Sequence, residues 1–261
     1  MTITGVAAGV PYTALPPDGA GPAPLVLTWH MLDAPRTDAA FAAALPMTGV
    51  PAWRVHLGLP MCGTRMVDGS MTAVVDLARQ DTLRAFGDGL TGRAVAEFPS
   101  ALAALRSTFP ITDAPPGIVG ASLGGLVALR VLVGDIPVAA AALVNPAIRA
   151  RSLVDLIDTN LGRTYRWDPD TTALADSLDF VARAKELRTP LLVVTGQDDH
   201  PAFHEDARAL AERAPHAELV SVPGLAHPLA DEPGMAPAPQ RPTTTLVDDA
   251  LTDWFTRHLA P

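Results

Sequence analysis

The sequence predicts an α/β protein in which helices cover both faces of a mostly parallel central sheet. Three observations carry this. Short apolar runs rich in strand formers recur along the chain as "PLVLTWH", "AWRVHLGLP", "GIVGA", "VAAAALV", "PLLVVTG" and "AELVSVP". Most are followed by helix-like or irregular sequence. Strands that are apolar throughout belong in a sheet buried on both sides, which crossover helices achieve. The third observation is length: 261 residues suit a single domain spanning 1–261.

In chain order, a Pro/Gly-rich lead-in precedes the first strand at 24–30, bounded by prolines upstream. "TDAAFAAALPMTG" follows, with a Thr/Asp cap at one end and a glycine at the other, the punctuation of a helix. The second strand is expected within 52–60. Residues 93–109 carry a helical period, with Pro99 as a kink or as the first-turn residue of a second helix. Strands are then expected at 117–121, 138–144, 190–196 and 217–223. After a surface loop at 234–244, "TLVDDALTDWFTRHL" reads as a final amphipathic helix. Two stretches break the alternation. Residues 61–90 are rich in Gly, Asp and Met, and a lid or cap insertion is expected at 146–186, between two strands.

Composition excludes several roles. No uninterrupted apolar stretch approaches the roughly 20 residues that span a bilayer, which argues against membrane insertion. The opening residues show no basic region ahead of an apolar core, so a cytoplasmic location is the expectation. Net charge is −9, and the basic residues are scattered rather than striped, which argues against a nucleic-acid partner. The one cysteine, Cys62, rules out an internal disulfide and a multi-cysteine metal site, and reads as a small half-buried residue. Oligomeric state leaves no signature.

The chemistry centres on Gly120-Ala121-Ser122-Leu123-Gly124, a G-x-S-x-G pattern at a strand-to-helix transition. A turn that sharp needs small residues around the serine, and it projects the hydroxyl above the sheet. The helix behind it favours negative charge, and the backbone N–H of Leu123 can point at a developing oxyanion. A serine hydroxyl attacks well only if a neighbouring base takes its proton, and that base needs an anionic partner. Both occur downstream: "LLVVTGQDDH" ends a strand at Asp198-Asp199, and "SVPGLAH" ends the next at His227.

Serine, acid and histidine in that order, across essentially the whole chain, resemble the α/β-hydrolase superfamily. The resemblance implies an α/β-hydrolase fold with a small lid. It selects Asp199 over Asp198, through the family's G-x-x-D spacing after Gly196, and His227 through Gly224-Leu225-Ala226-His227. The implied triad is Ser122, Asp199 and His227. The family's second oxyanion donor comes from a His-Gly-x loop, matched here by His30-Met31-Leu32, which points to the N–H of Leu32 with Met31 in the glycine's place. "LGLPMCGTR" at 57–65 is similar to a D-x-P-x-H-G-x-R segment, with Leu57 or Gly58 in place of the Asp and Cys62 in place of the His. The nearest likeness is to bacterial esterases of the prolyl-oligopeptidase-like group.

The implied activity is a serine carboxylesterase, cleaving small to medium, partly apolar esters through an acyl-enzyme on Ser122 without metal or organic cofactor. Thioesterase, peptidase and acyltransferase chemistry share that intermediate, and a non-catalytic protein holding a hydrophobic ligand could share the fold. Met31, Met61, Met66, Tyr165 and Trp167 are candidate pocket or lid residues, with ordinary packing as the alternative; Met31 and Trp167 are the substrate-binding choices. His200 and His204, four apart, could suggest zinc, but Pro201 starts a helix there and a solvated first turn accounts for them. His30 either orients the oxyanion loop or is a hydrogen-bonded core histidine. His56, His216 and His258 show no partners, and Asp248-Asp249 is expected to face water.

Overall fold

The computed structural model describes residues 2–259. One sheet contains eight strands: β1 (Ile3–Ala7), β2 (Val10–Leu15), β3 (Leu25–Trp29), β4 (Trp53–Leu57), β5 (Gly117–Ala121), β6 (Ala140–Val144), β7 (Leu191–Asp198) and β8 (Ala217–Ala226). Their order is β1-β2-β4-β3-β5-β6-β7-β8. β2 runs antiparallel to both its neighbours, and the other five pairings are parallel. Among the described residues, eight α-helices accompany them: α1 (Asp38–Ala44), α2 (Thr72–Gln80), α3 (Thr91–Thr108), α4 (Leu123–Leu132), α5 (Ala150–Asn160), α6 (Pro169–Ser177), α7 (Pro201–Arg213) and α8 (Pro242–His258). Among the described residues, no helix is long and apolar enough to cross a membrane.

Strand alternation splits the core in two. In β6, Ala141 and Leu143 join the layer containing Phe98 of α3, Leu126 of α4 and Phe203 of α7. Ala140, Ala142 and Val144 face the opposite layer, with Phe41 of α1 and Trp254 and Phe255 of α8. A strand with apolar residues on both faces has no solvent side, hence the unbroken apolar runs.

Three expectations need correction, and one stretch gains definition. The lead-in forms the β1-β2 hairpin, whose two-residue turn, Ala8-Gly9, has φ of 48° and 88°. Such turns need two positive φ values and usually use Asn-Gly; Ala-Gly carries a weaker signal, and Pro11 reads as a strand breaker. Residues 61–90, which break the strand alternation, contain α2 and a π-helical segment at Arg84–Leu90 that runs into α3. Asp248 does not face water. It is 9% exposed and accepts a hydrogen bond from the Met47 N–H at 2.8 Å, closing the turn after α1. Cys62 is buried outright at 1% exposure, and burial pushes its thiol up to about 12.

Candidate active site

The C-terminal ends of the parallel strands converge on one spot, where open α/β sheets place their sites. Ser122 follows β5 as the residue before α4, held at φ 49° and ψ −115°. A non-glycine residue in that region costs about 1–2 kcal/mol. The surrounding backbone holds it there: its N–H donates to Val144 O at 3.0 Å, and its carbonyl accepts from Gly125 and Ala147. A Cβ on Gly120 would lie 2.1 Å from Gly124 O, and one on Gly124 would lie 2.2 Å from Trp29 O. The two motif glycines therefore let β5, α4 and the end of β3 touch backbone to backbone.

Ser122 Oγ lies 2.8 Å from His227 Nε2, and His227 Nδ1 lies 2.7 Å from Asp199 Oδ1. With its proton on Nδ1, the imidazole donates to the carboxylate and accepts from the serine hydroxyl. Asp198 ends β7 opposite Ala226 with its side chain exposed, whereas the Asp199 side chain has no exposed surface. Asp199 Oδ1 also accepts from the His200 N–H at 2.6 Å. The structure thus brings Ser122, Asp199 and His227 into one hydrogen-bonded line.

Asn145, which the sequence reading passed over, ties the end of β7 to the His227 loop. Fully buried and at φ 43°, it follows β6. Its Nδ2 donates to the carbonyls of Ala226 and His227, at 2.9 and 3.1 Å, while its Oδ1 accepts from Gly196 N at 2.8 Å. An Asn directly after an apolar strand, in "LVNP", was the available signal, since Asn tolerates the left-handed region better than other non-glycine residues.

His30 is fully buried, and burial lowers its pKa to about 4, so it is neutral. Its Nδ1–H donates to Met31 O at 2.7 Å and its Nε2 accepts from Leu59 N at 3.1 Å, which pins the loop after β3 to the segment after β4. Leu123 and Leu32 both line the cavity above Ser122. Leu123 opens a helix, so its N–H has no intrahelical partner.

The cavity measures about 250 Å³. Val74 and Ala78 of α2, Phe86, Leu153 and Ile157 of α5 and Phe203 of α7 supply apolar wall, with Asp33, Arg36 and His200 as polar members. Met31 is a correction: it is fully buried in the layer with Phe41 and does not line the cavity. Trp167 is another, packing at a tilt against Tyr165 and lying under the Arg151 guanidinium instead. Cys62 also lies in the core, and Arg65 of the same segment pairs with Glu97 at 2.5 Å rather than reaching the site. His200 is half-buried as the residue before α7, where Pro201 and Ala202 of the first turn are exposed, and its ring centroid lies 5.0 Å from that of His227. Among the described residues, Asp199, His200 and His227 are the His/Cys/Asp/Glu group close enough to hold an ion, but His227 already uses both nitrogens on Asp199 and Ser122.

A family model described as "Uncharacterised protein family (UPF0227)" matches residues 91–232, more than half of the chain and inclusive of all three aligned side chains. No curated protein matches the sequence. Among solved structures, TT1662 from Thermus thermophilus is similar at 19% identity and a TM-score of 0.64, covering 98% of each chain. Est1E from Butyrivibrio proteoclasticus is similar at 15% identity and a TM-score of 0.64, covering 100% of this chain and 99% of the other. A puromycin-hydrolyzing peptidase from Mycobacterium tuberculosis reaches a TM-score of 0.67 at 16% identity, covering 99% of this chain and 39% of its own. The fold is that of the α/β hydrolases.

Proposed function

This chain belongs to the Uncharacterised protein family (UPF0227), and from that premise and its fold we propose that it is a serine carboxylesterase acting on small to medium, partly apolar esters. The observation that carries the reading is the line Ser122 Oγ, His227 Nε2, His227 Nδ1, Asp199 Oδ1, with links of 2.8 and 2.7 Å beneath a mostly apolar cavity. Ser122 attacks the ester carbonyl as His227 takes its proton; Asp199 keeps the imidazole in the required tautomer and stabilises the imidazolium. The N–H groups of Leu123 and Leu32 hold the oxyanion. His227 then protonates the departing alkoxide, and water, activated by the same histidine, releases the acid. The cycle needs no redox partner.

Cavity size sets the acyl preference. At about 250 Å³ it falls below the usual ligand pocket of roughly 300–1,000 Å³, so short and medium acyl chains fit and long ones must leave the cavity. The test is hydrolysis of p-nitrophenyl esters from acetyl to dodecanoyl by wild type and Ser122→Ala, with fluorophosphonate labelling alongside. We expect turnover to peak at medium chain length and to fall about 10⁴-fold or more in the variant, with labelling abolished. Wild-type protein that neither hydrolyses the series nor takes the label would end the esterase reading and favour a ligand-binding role.

A further inference from the structure

On the esterase reading above, we propose that Asp33 is a specificity residue for the leaving group, selecting esters whose alcohol carries a cationic amine close to the ester oxygen. The Asp33 carboxylate lies 3.6 Å from His227 Nε2, the nitrogen that also faces Ser122 Oγ, and it lines the mouth of the cavity. His227 Nε2 hands its proton to the departing oxygen, so that oxygen must come within hydrogen-bond reach of it, about 3 Å. Asp33 therefore flanks the leaving group, while the aliphatic wall from α2 and α5 receives the acyl chain.

The charge on Asp33 has no built-in counterion. Arg36, three residues along, is committed elsewhere: its Nη2 meets both carboxylate oxygens of Glu232, at 2.9 and 2.7 Å, and its other nitrogens donate to the carbonyls of Pro233 and Leu32. Among the described residues, the cationic group that can form an ion pair with Asp33 is His227 itself. Asp33 also follows directly on Leu32, whose N–H the mechanism uses for the oxyanion, so its negative charge opposes the one that develops there. A substrate cation beside the leaving oxygen offsets that opposition and contributes attraction of its own. With 46% of its side chain exposed, Asp33 can receive such a group, and the interaction weakens with salt.

The test compares two esters of one acid and nearly one shape: dimethylaminoethyl hexanoate, protonated at neutral pH, and isopentyl hexanoate, which puts a carbon where the nitrogen stands. The expected ratio of kcat/KM, cationic over neutral, is about tenfold or more in wild type at low salt, and it shrinks toward unity as salt rises. In Asp33→Asn the ratio collapses to near one at every salt concentration. A wild-type ratio near one with both esters turned over would overturn the role of Asp33 and leave the esterase reading standing. So would a high ratio that persists in Asp33→Asn. Failure of wild type to hydrolyse either ester would overturn the role of Asp33 and, if the p-nitrophenyl series and the fluorophosphonate label fail as well, the esterase reading with it.

Discussion

The floor of the site and its roof are held by different means. The floor, at the ends of β5, β6, β7 and β8, is tied by buried hydrogen bonds and by backbone packing with no slack: Ser122 N–H to Val144 O, Asn145 to three backbone groups, and the Gly120 and Gly124 approaches. The roof, built from α2, the Arg84–Leu90 segment and α5, presents apolar side chains on separate insertions that no strand ladder joins. A polar clamp holds its two halves. Arg163 pairs with the buried Asp158 at 3.0 Å and reaches the carbonyls of Ala78 and Arg79; Thr82 also donates to Asp158, and Tyr165 donates to Asp81 at 2.7 Å. The contrast assigns reaction geometry to the sheet and substrate fit to the roof.

Asn145 offers the largest break in that contrast. Asn145→Ala removes both donations to the His227 loop, leaves the buried Gly196 N–H without its side-chain acceptor and puts alanine at φ 43°. The expected destabilisation is about 2–4 kcal/mol, read from the denaturant midpoint. Because the end of β7 and the His227 loop lose their common anchor, kcat should fall about 10–100-fold, with KM changing far less. A KM effect larger than the kcat effect would place Asn145 with the roof instead.

The same division governs what the sequence disclosed. Ser122, Asp199 and His227 were legible because a strand end, a tight turn and chain order constrain residue type strongly: a bulkier residue at 120 or 124 would strike backbone. The central strands were legible because apolar residues on both faces leave one reading. The roof was not. Val74, Ala78, Leu153 and Ile157 line the cavity, yet at helical spacing they are indistinguishable from ordinary core positions until tertiary contacts fix which way each helix turns. Aromatic and sulfur-bearing residues drew attention instead, and Met31 and Trp167 proved to be packing. Asp33 carried no local pattern at all; its position follows from a fold-level meeting with His227, 194 positions away.

A second break works through pH and concerns the loop after β3, on the sheet side of the site. Burial lowers the pKa of His30 from 6.5 to about 4, and its two hydrogen bonds, one donated and one accepted, suit the neutral ring. Between those values the unfolded chain binds a proton that the folded protein refuses. Stability is therefore fully present above about pH 6.5 and is lost as pH falls toward 4, by up to about 3 kcal/mol from this residue. His56, lowered by burial to about 3, loses stability over the same range and further down. His30→Asn should be less stable than wild type at pH 7 but should lose less between pH 6.5 and 4, as followed by urea midpoints. Parallel pH curves for the two proteins would mean that His30 takes up its proton at the same pH folded as unfolded.

The smallest expected effect tests whether the roof matters mainly for fit. Arg163→Met keeps much of the side-chain volume but withdraws the guanidinium from Asp158, Thr82 and two carbonyls that cap the end of α2. Asp158 is 2% exposed and retains only its hydroxyl partner Thr82, so a neighbouring segment must open to hydrate it. That opening loosens Ala78, Ile157 and Leu161, which line the cavity, while Ser122, His227 and Asp199 keep every bond among themselves. KM for medium-chain esters should then rise about 3–10-fold with kcat within about twofold, because binding shared equally by ground and transition state is what a loosened wall forfeits. The selectivity between medium and long acyl chains should flatten as well, since a wall that yields admits the longer chain. If kcat instead fell as far as it does in Asn145→Ala, floor and roof would be mechanically one body, and the division between reaction geometry and substrate fit would fail.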